Sequence, residues 1–507
     1  MNILLITADH MRSDALGCNL PAAGPWALAS VIKTPNIDRL ARSGVTFLNA
    51  YSPNPICVPA RASITTGNYS HTCTGHKGMG GTILPDQPRL GRVFADAGYA
   101  TCAVGKLHYV PYSPPGQERL VHGFGTVDLN EEGRIIGQFD PHGKMTGLEE
   151  YHDYLAAAGY GGYERSHGIG NNDMRPAACT LPAEHHEEAW VATRTIHHLQ
   201  RHLAAKDGRP FLMWASFAKP HSPYDPPPPF DRMYDPRSIP APLGGWDDDS
   251  ILDGRDIELH RRRKIYGWDM LSPQCVQAAR AYYAGMVSFQ DQQIGRILDF
   301  IESAGLAGET IVVYSCDHGD LLGDFGRFFK ATMHDASAKV PFIWRAPSVA
   351  GRDGVHHRTQ LAGLQDILPT LCSLTGVGLA QEVQGVDLSG VLADAGAAGQ
   401  DCIFSETGQE AGNQKAMIRT ADWKYSYCDL GGVEELYDMR TPMGEVHNLA
   451  GDSRHAGVLA DLRGRLVQWA VDTGDTKLVA GGKLAFADEA GLPPPVFEPA
   501  KLGWRWY

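Results

Sequence analysis

"NILLITADH", Asn2–His10, is an apolar run that breaks off in an acid and an imidazole. The apolar stretch does not alternate, so it predicts a strand buried on both faces, as inside a parallel sheet covered by helices. The same design recurs. "ATCAVGKLH" (Ala100–His108) ends in Lys106 and His108, "PFLMWASFAKPH" (Pro210–His221) in Lys219 and His221, and "ETIVVYSCDHGD" (Glu309–Asp320) in Asp317 and His318. "VTFLNAYS" (Val45–Ser52) and "VPFIWRAP" (Val340–Pro347) read as further strands. Between them, "TPNIDRLARSG", "PRLGRVFADAGY" and "SFQDQQIGRILDFIESAG" carry helical periodicity, the first through Ile37, Leu40 and Ala41 with a glycine stop. Alternating strands and helices predict an α/β fold: a large, mainly parallel sheet sandwiched by helices. In such sheets functional residues gather beyond the carboxyl ends of the strands, and four of these strands end in polar, chemistry-bearing pairs.

Beyond about residue 395 the pattern changes. "CIFSE", "KAMIRT" and "WKYSYC" are short strands with tight turns, and "AGVLADLRGRLVQWAVDTG" is an amphipathic helix. The expected division is a catalytic α/β domain over 1–395 and a smaller C-terminal α+β domain over 396–507, with an antiparallel sheet, a helix and a tail. The tail "PPPVFEPAKLGWRWY" is apolar for a free end, which predicts docking on a neighbouring subunit and hence a homo-oligomer. Segments around 110–190 and 225–275 lack clear periodicity; loops of that length are commonly functional.

The 507 residues are 43% hydrophobic and 20% charged, enough for a large packed core. A net charge of −13 argues against a nucleic-acid binder but leaves room for a local cationic pocket. The ten cysteines are scattered without zinc-binding spacing, as expected of buried thiols in a reducing compartment. "MNILLITADHMRSD" has no basic stretch leading into an apolar one, and no run is long enough to span a bilayer. The expectation is a cytoplasmic protein with no membrane partner.

Asp9, Asp317 and His318 at two strand ends bring two carboxylates and an imidazole together, an arrangement that a divalent cation relieves. Mixed oxygen and nitrogen donors suit Ca²⁺, Mg²⁺ or Mn²⁺ better than a thiolate-rich zinc site. Helix capping and an ordinary buried histidine explain any one of these residues alone; their joint placement favours the metal. Arg61, Lys106 and Lys330, with His108 and His221, form a second set that can converge on the same crevice, bind a tetrahedral oxyanion and protonate its leaving group. Lysines are usually solvated surface residues, a reading that fits Lys219 and Lys339 better than Lys106. "NPICVPARASITTG" from Asn54 places Cys57 one helical turn before Arg61, either as a nucleophile of lowered pKa or as an inert thiol.

Here the chain resembles a family. "CVPAR" (Cys57–Arg61) followed by "ASITTG" is similar to the Cys-x-Pro-x-Arg signature of the type I, formylglycine-dependent sulfatases of the alkaline phosphatase superfamily. The resemblance runs from Asn2 to about Ala450 through "ILLITAD", "TPNIDRLARSGVTFLNAY", "GKLHY", "KPHSPYDPP", "IVVYSCDHGDLLGDFG", "LQDILPTL" and "ELYDMRTPMGEVHNLA". It implies that Cys57 is oxidised to Cα-formylglycine by a formylglycine-generating enzyme and that its hydrate is the nucleophile. One hydroxyl attacks sulfur; the other then loses its proton and expels sulfate. It further implies that Asp9, Asp317 and His318 hold the metal with residue 57, that Arg61 and Lys106 orient that residue, and that His108 takes the proton from its second hydroxyl. His221 and Lys330 hold the sulfate and help the leaving oxygen depart.

Asp9-His10 and Asp317-His318 stand where many sulfatases carry Asp-Asp and Asp-Asn. The second pair resembles the choline-sulfatase and phosphonate monoester hydrolase branch, so Ca²⁺ and Mn²⁺ both remain open. That branch has an asparagine after the cysteine motif; "GHKGMGGT" here has none, with His76 or Lys77 as substitutes. The expected function is hydrolysis of a small sulfate ester, aryl or carbohydrate, with a phosphonate monoester or phosphodiester hydrolase as the alternative. An inactive sulfate-ester binding protein is disfavoured because every matched position is filled. A two-zinc phosphatase is disfavoured because ligands for only one metal are evident. The alcohol part is expected to meet "YERSHGIGNND" and the loop through Trp246.

Overall fold

In the computed structural model the described residues are 1–24, 26–108, 121–133, 147–246, 254–347, 356–441 and 444–499. Eight strands build the principal sheet: β1 (Asn2–Ala8), β2 (Val45–Tyr51), β3 (Ala100–Gly105), β4 (Thr126–Leu129), β5 (Phe211–Ser216), β6 (Thr310–Cys316), β7 (Phe342–Arg345) and β8 (His356–Gly363). Their order is β4-β3-β5-β1-β6-β7-β2-β8. β7 runs antiparallel to both of its neighbours, and the other pairings are parallel. All residues of β5 and β6 are buried, as are all of β1 after Asn2, which accounts for their unbroken apolar sequences.

Register sets the strand ends level. Gly105 and Thr7 both pair with Ser216, Thr7 with Ser315, and Ala8 with Cys316. The residues that follow β3, β5, β1 and β6 therefore emerge side by side. Gly105 is required here: its φ is +100°, and a Cβ would stand 1.9 Å from the Ser216 carbonyl oxygen. That contact lets the Lys106 N–H bond the same carbonyl at 2.9 Å and turns the chain over the sheet's end.

Helix α1 (Pro35–Arg42) buries Ile37, Leu40 and Ala41, as its spacing requires. Helix α2 (Cys57–Thr66) follows β2, is buried along its whole length and stops at Gly67 with φ +74°. The helix Pro273–Ser303 extends the expected one, which begins at Ser288, towards the N-terminus and packs on α1 and on the helix Glu187–Ala205. β4 and β8 lie at the two edges of the sheet and were not anticipated. An edge strand need not be apolar, and "HHRTQLAG" and "TVDL" carry little of the signal by which the inner strands are read.

A second sheet, order β12-β11-β10-β9, is antiparallel: β9 (Ile403–Thr407), β10 (Lys415–Arg419), β11 (Trp423–Cys428) and β12 (Val433–Asp438). The helix Ala456–Thr473 packs on it through Leu462, Leu466, Trp469 and Ala470. The tail is described to residue 499: Phe497 lies beside Gly267, and the Glu498 N–H bonds the Ile265 carbonyl, so this part lies on its own chain. Residues 500–507, and the parts of the aperiodic segments at 109–120, 134–146 and 247–253, lie outside the described residues. No described helix is long and apolar enough to cross a membrane.

Candidate active site

The four polar strand ends and the start of α2 form one buried cluster. Cys57 opens α2 after an extended Ile56, which places the thiol at a helix N-terminus. Its Sγ, standing where a formylglycine oxygen would be, lies 2.8 Å from Lys330 Nζ, 3.2 Å from His318 Nε2 and 3.7 Å from Asp9 Oδ1. Burial pushes the thiol's pKa up, but Lys330, His318 and Lys106 outweigh it and hold the group well below its ordinary value.

Arg61, one turn further along α2, faces the carboxylates rather than the thiol. Its Nε donates to Asp317 Oδ2 at 2.9 Å, and its Nη2 is 3.5 Å from Asp9 Oδ2. Its Nη1 donates to the Lys106 carbonyl and to Ser216 Oγ, each at 2.7 Å. Lys106 Nζ sits 2.5 Å from Asp9 Oδ2 and 3.1 Å from Glu132 Oε2. Burial and Cys57 raise the Asp9 pKa, yet Lys106, His221 and Lys330 leave it well below the carboxylate range. His108 is buried at φ +53°, and the N–H groups of Leu107 and His108 both donate to Glu131 Oε1, at 2.8 and 2.9 Å.

Three histidines share one tautomeric logic. His318 Nδ1 lies 3.0 Å from the Gly319 carbonyl and His221 Nδ1 2.6 Å from the Ser222 carbonyl; His10 Nδ1 lies 2.8 Å from Asp320 Oδ2. Each acceptor draws the proton to Nδ1 and leaves the Nε2 lone pair available. The rings adjoin, with centroids 4.1 Å apart for His10 and His221 and 4.7 Å for His10 and His318. Burial first, and then the ammonium groups of Lys330 and Lys106, drive the His221 pKa well below 6.5, so this ring is neutral at pH 7.

Asp9, Cys57, Asp317, His318, Arg61, Lys106, His221 and Lys330, all selected from the sequence, are thus linked by contacts, and His108 stands at the same strand end. His10 and Asp320 were not selected. The signal was present, since β1 and β6 both end in Asp-His and the second pair continues into Gly-Asp. One donor atom each from Asp9, His10, Cys57 and His318 lies within 4.8 Å of the others. This clustering of carboxylate and Nε2 donors in a buried setting fits a divalent cation.

Lys219 corrects its expected place on the surface. It is fully buried, 2.7 Å from Asp225 and 3.3 Å from Glu187, with the His221 and Pro223 carbonyls as further acceptors. Lys339 is also largely covered, 3.6 Å from Asp335. Lys77 is committed elsewhere, to Asp475 at 2.8 Å and Gln414 at 3.0 Å. Trp246 is buried against Phe328 and Arg263, serving packing. "YERSHGIGNND" does adjoin the site: Asn171 donates to the Glu132 carbonyl at 3.3 Å, and Arg165 stands 3.8 Å from the Glu132 carboxylate.

The family model described as Sulfatase matches residues 1–377. The chain belongs to the sulfatase family. A model of the N-sulphoglucosamine sulphohydrolase C-terminal region matches residues 323–472. Among curated relatives, an arylsulfatase of Clostridium perfringens is 29% identical, over 92% of this chain and 94% of that one. A choline-sulfatase of Rhizobium meliloti is 27% identical, over 89% and 83%. The solved structure of a phosphonate monoester hydrolase from Silicibacter pomeroyi superposes with a TM-score of 0.76 over 94% of this chain and 97% of that one, at 24% identity. The fold is therefore shared with that hydrolase, and, as a member of the sulfatase family, the protein is a sulfuric ester hydrolase.

Proposed function

We propose that this sulfatase cleaves a small aryl or carbohydrate sulfate monoester, using formylglycine at position 57 and one divalent cation. The observation that carries the reading is the setting of Cys57 at the head of a buried helix, in contact with Lys330, His318 and Asp9. Asp9, Asp317, His318 and residue 57 would hold the cation, with His10 Nε2 at hand; the imidazole donors favour Mn²⁺ over Ca²⁺. When bound, the cation polarises the ester and lowers the nucleophile's pKa. Formylglycine supplies a hydrated aldehyde whose second hydroxyl permits release of sulfate.

The chain's own residues divide the remaining work. Arg61 neutralises Asp317 and Asp9, and so keeps two carboxylates together beside the nucleophile. Lys106 neutralises Asp9 from the other side. Lys330, a triple donor within reach of residue 57, can hold that residue's oxygen and meet the ester's leaving oxygen. His221 is neutral with Nδ1 committed, so its Nε2 accepts a proton rather than giving one. The proton for the departing alcohol is accordingly assigned to Lys330, and His108 is assigned the proton of the second hydroxyl.

The domain division at about 395 is supported by the change from the mainly parallel sheet to the antiparallel one, although the core on β10, β11 and the helix Ala456–Thr473 also takes in Tyr69, and Ile403 and Met417 pack with Tyr51, Met333 and Leu361. A cytoplasmic setting is supported by ten cysteines that all remain free. A homo-oligomer is supported by the exposed Phe486 and Val496 towards the C-terminus.

The test is kinetic and chemical. Enzyme co-expressed with a formylglycine-generating enzyme should carry an aldehyde at position 57 by peptide mass spectrometry. It should show a higher kcat/KM for an aryl sulfate than for the aryl phosphonate or phosphodiester with the same leaving group. Preference for the phosphorus esters would transfer the assignment to the phosphonate hydrolase reading, and an unmodified thiol in fully active enzyme would end the formylglycine mechanism.

A further inference from the structure

A cavity of about 400 Å³ lies apart from the catalytic cluster, and none of the residues assigned to that cluster lines it. Its walls come from the segment after β1 as far as Trp26, from Asn49 of β2, from Asp335 and Lys339 beyond β6, and from Arg419 of β10 with Glu445 beyond β12. The cavity therefore sits in the seam between the two sheets, and its volume is that of a small-molecule site. Charge is uneven across it. On one wall Arg12 meets the two Asp14 oxygens at 2.8 and 2.9 Å and Asp324 at 2.7 Å, so both acids are neutralised. On another, the three cations Lys424, Lys339 and Arg419 face the two carboxylates of Asp335 and Glu445. Lys424 alone serves both acids, donating to Asp335 and, at 2.7 Å, to Glu445. The Tyr51 hydroxyl donates to Asp335 at 2.8 Å and accepts from Arg419 Nε at 3.2 Å, which holds Arg419 beside the same acid. Lys339 Nζ comes only within 3.6 Å of Asp335, beyond hydrogen-bond distance. Burial pushes the Asp335 pKa up, but Lys424, Lys339 and Arg419 outweigh it and hold the group well below the carboxylate range.

Two cationic donors are left over. Among the described residues Lys339 Nζ donates no hydrogen bond, and neither does Arg419 Nη2, whose neighbour Nη1 is given to the Thr420 carbonyl. Arg419 is only 3% exposed, and a buried N–H without an acceptor is costly, so the site is built for a ligand that accepts. The wall also offers groups suited to hydroxyls: the Ser13 hydroxyl and Asn49 Oδ1 have no hydrogen-bond partner among the described residues, the Asn49 amide nitrogen being given to the Thr359 carbonyl. Trp26 adds a flat apolar face, fixed by Gly24, where a Cβ would stand 2.4 Å from the indole. We propose that this cavity is a second ligand site that takes a sugar ring bearing a carboxylate or sulfate, its oxyanion on Arg419 and Lys339, its hydroxyls on Ser13 and Asn49 and one C–H face on Trp26. An aromatic acid would answer the cations but leave Ser13 and Asn49 unmet. The site does not depend on the chemistry at position 57.

The probe is glucuronate, which carries the oxyanion and the hydroxyls but no ester to hydrolyse. Metal-loaded, formylglycine-bearing enzyme should bind it saturably at low ionic strength in isothermal titration calorimetry. Arg419→Met should weaken the Kd by about tenfold, the scale of a lost hydrogen bond to a charged group. Lys339→Met should do the same, and because it gives up only the 3.6 Å contact with Asp335 it keeps the test decisive if Arg419→Met does not fold. Lys330→Ala, in the catalytic cluster, should change the Kd by less than about twofold, since the two sites share no residue. Glucose, which lacks the charge, and benzoate, which lacks the hydroxyls, should each bind at least about tenfold more weakly than glucuronate. Absence of saturable glucuronate binding would overturn the proposal. So would binding that is lost with Lys330→Ala and indifferent to Lys339→Met, which places the probe in the catalytic cluster. Glucose binding as tightly as glucuronate would remove the oxyanion from the assignment, and benzoate doing so would remove the sugar; either result overturns it.

Discussion

Arg61→Met is the perturbation whose consequence is most closely specified by the site. The guanidinium is wholly buried and lies 2.9 Å from Asp317 and 3.5 Å from Asp9. Methionine matches much of its length but offers no charge and no donor. Asp9 retains Lys106, whereas Asp317 loses its close cation, and the Lys106 carbonyl and Ser216 Oγ lose their donor. Removing one partner from a buried ion pair costs about 3–5 kcal/mol. Metal-free Arg61→Met protein should therefore be less stable than the parent by that amount. Metal should then narrow the gap, because a site with unrelieved carboxylates gains more from a cation, and a ligand at a hundred times its Kd contributes about 2.7 kcal/mol. Urea unfolding followed in EDTA and again with saturating Mn²⁺ measures both effects as midpoint shifts. A variant within about 1 kcal/mol of the parent in EDTA would refute the view that Arg61 is the main counter-charge to this carboxylate pair.

Two further outcomes follow from other residues. Asp317→Asn should lower metal occupancy and turnover together, checked by elemental analysis on the assayed sample; full activity after exhaustive chelation would refute the metal's role. His71 contacts Glu406 at 2.7 Å, and although burial pushes the imidazole's pKa down, Glu406 outweighs it and the net shift is upward. The parent's advantage over His71→Gln should thus be complete below the unfolded imidazole value of about 6.5 and decline as pH rises through the higher folded value. Urea titrations from acid to alkaline pH read this directly, and a pH-independent difference would refute it.

The inner strands were legible because burial on both faces leaves only one kind of side chain. "NILLITA", "FLMWAS" and "TIVVYSC" admit no other reading. Edge strands β4 and β8 were not legible, because half of each faces solvent or loop and tolerates polar residues. The antiparallel placement of β7 between β6 and β2 has no sequence signature either, since strand direction depends on the path of the connection. Lys219 illustrates the limit for single residues: a lysine's burial depends on whether acids from distant segments meet it, here Asp225 and Glu187.

The sequence by itself determined the fold class, the four strand ends that carry the chemistry and the identity of the residue at the nucleophile position. Those properties reside in local runs and short spacings, which a linear chain displays openly. Tertiary structure alone decided how the charges are shared. Register brings the ends of β3, β5, β1 and β6 level, so that Arg61 reaches Asp317 across 256 positions of chain and Lys330 reaches His10 across 320. Which tautomer a histidine adopts, and which acid a lysine neutralises, depends on distances of about 3 Å between groups far apart in sequence. Only the closed sheet sets those distances.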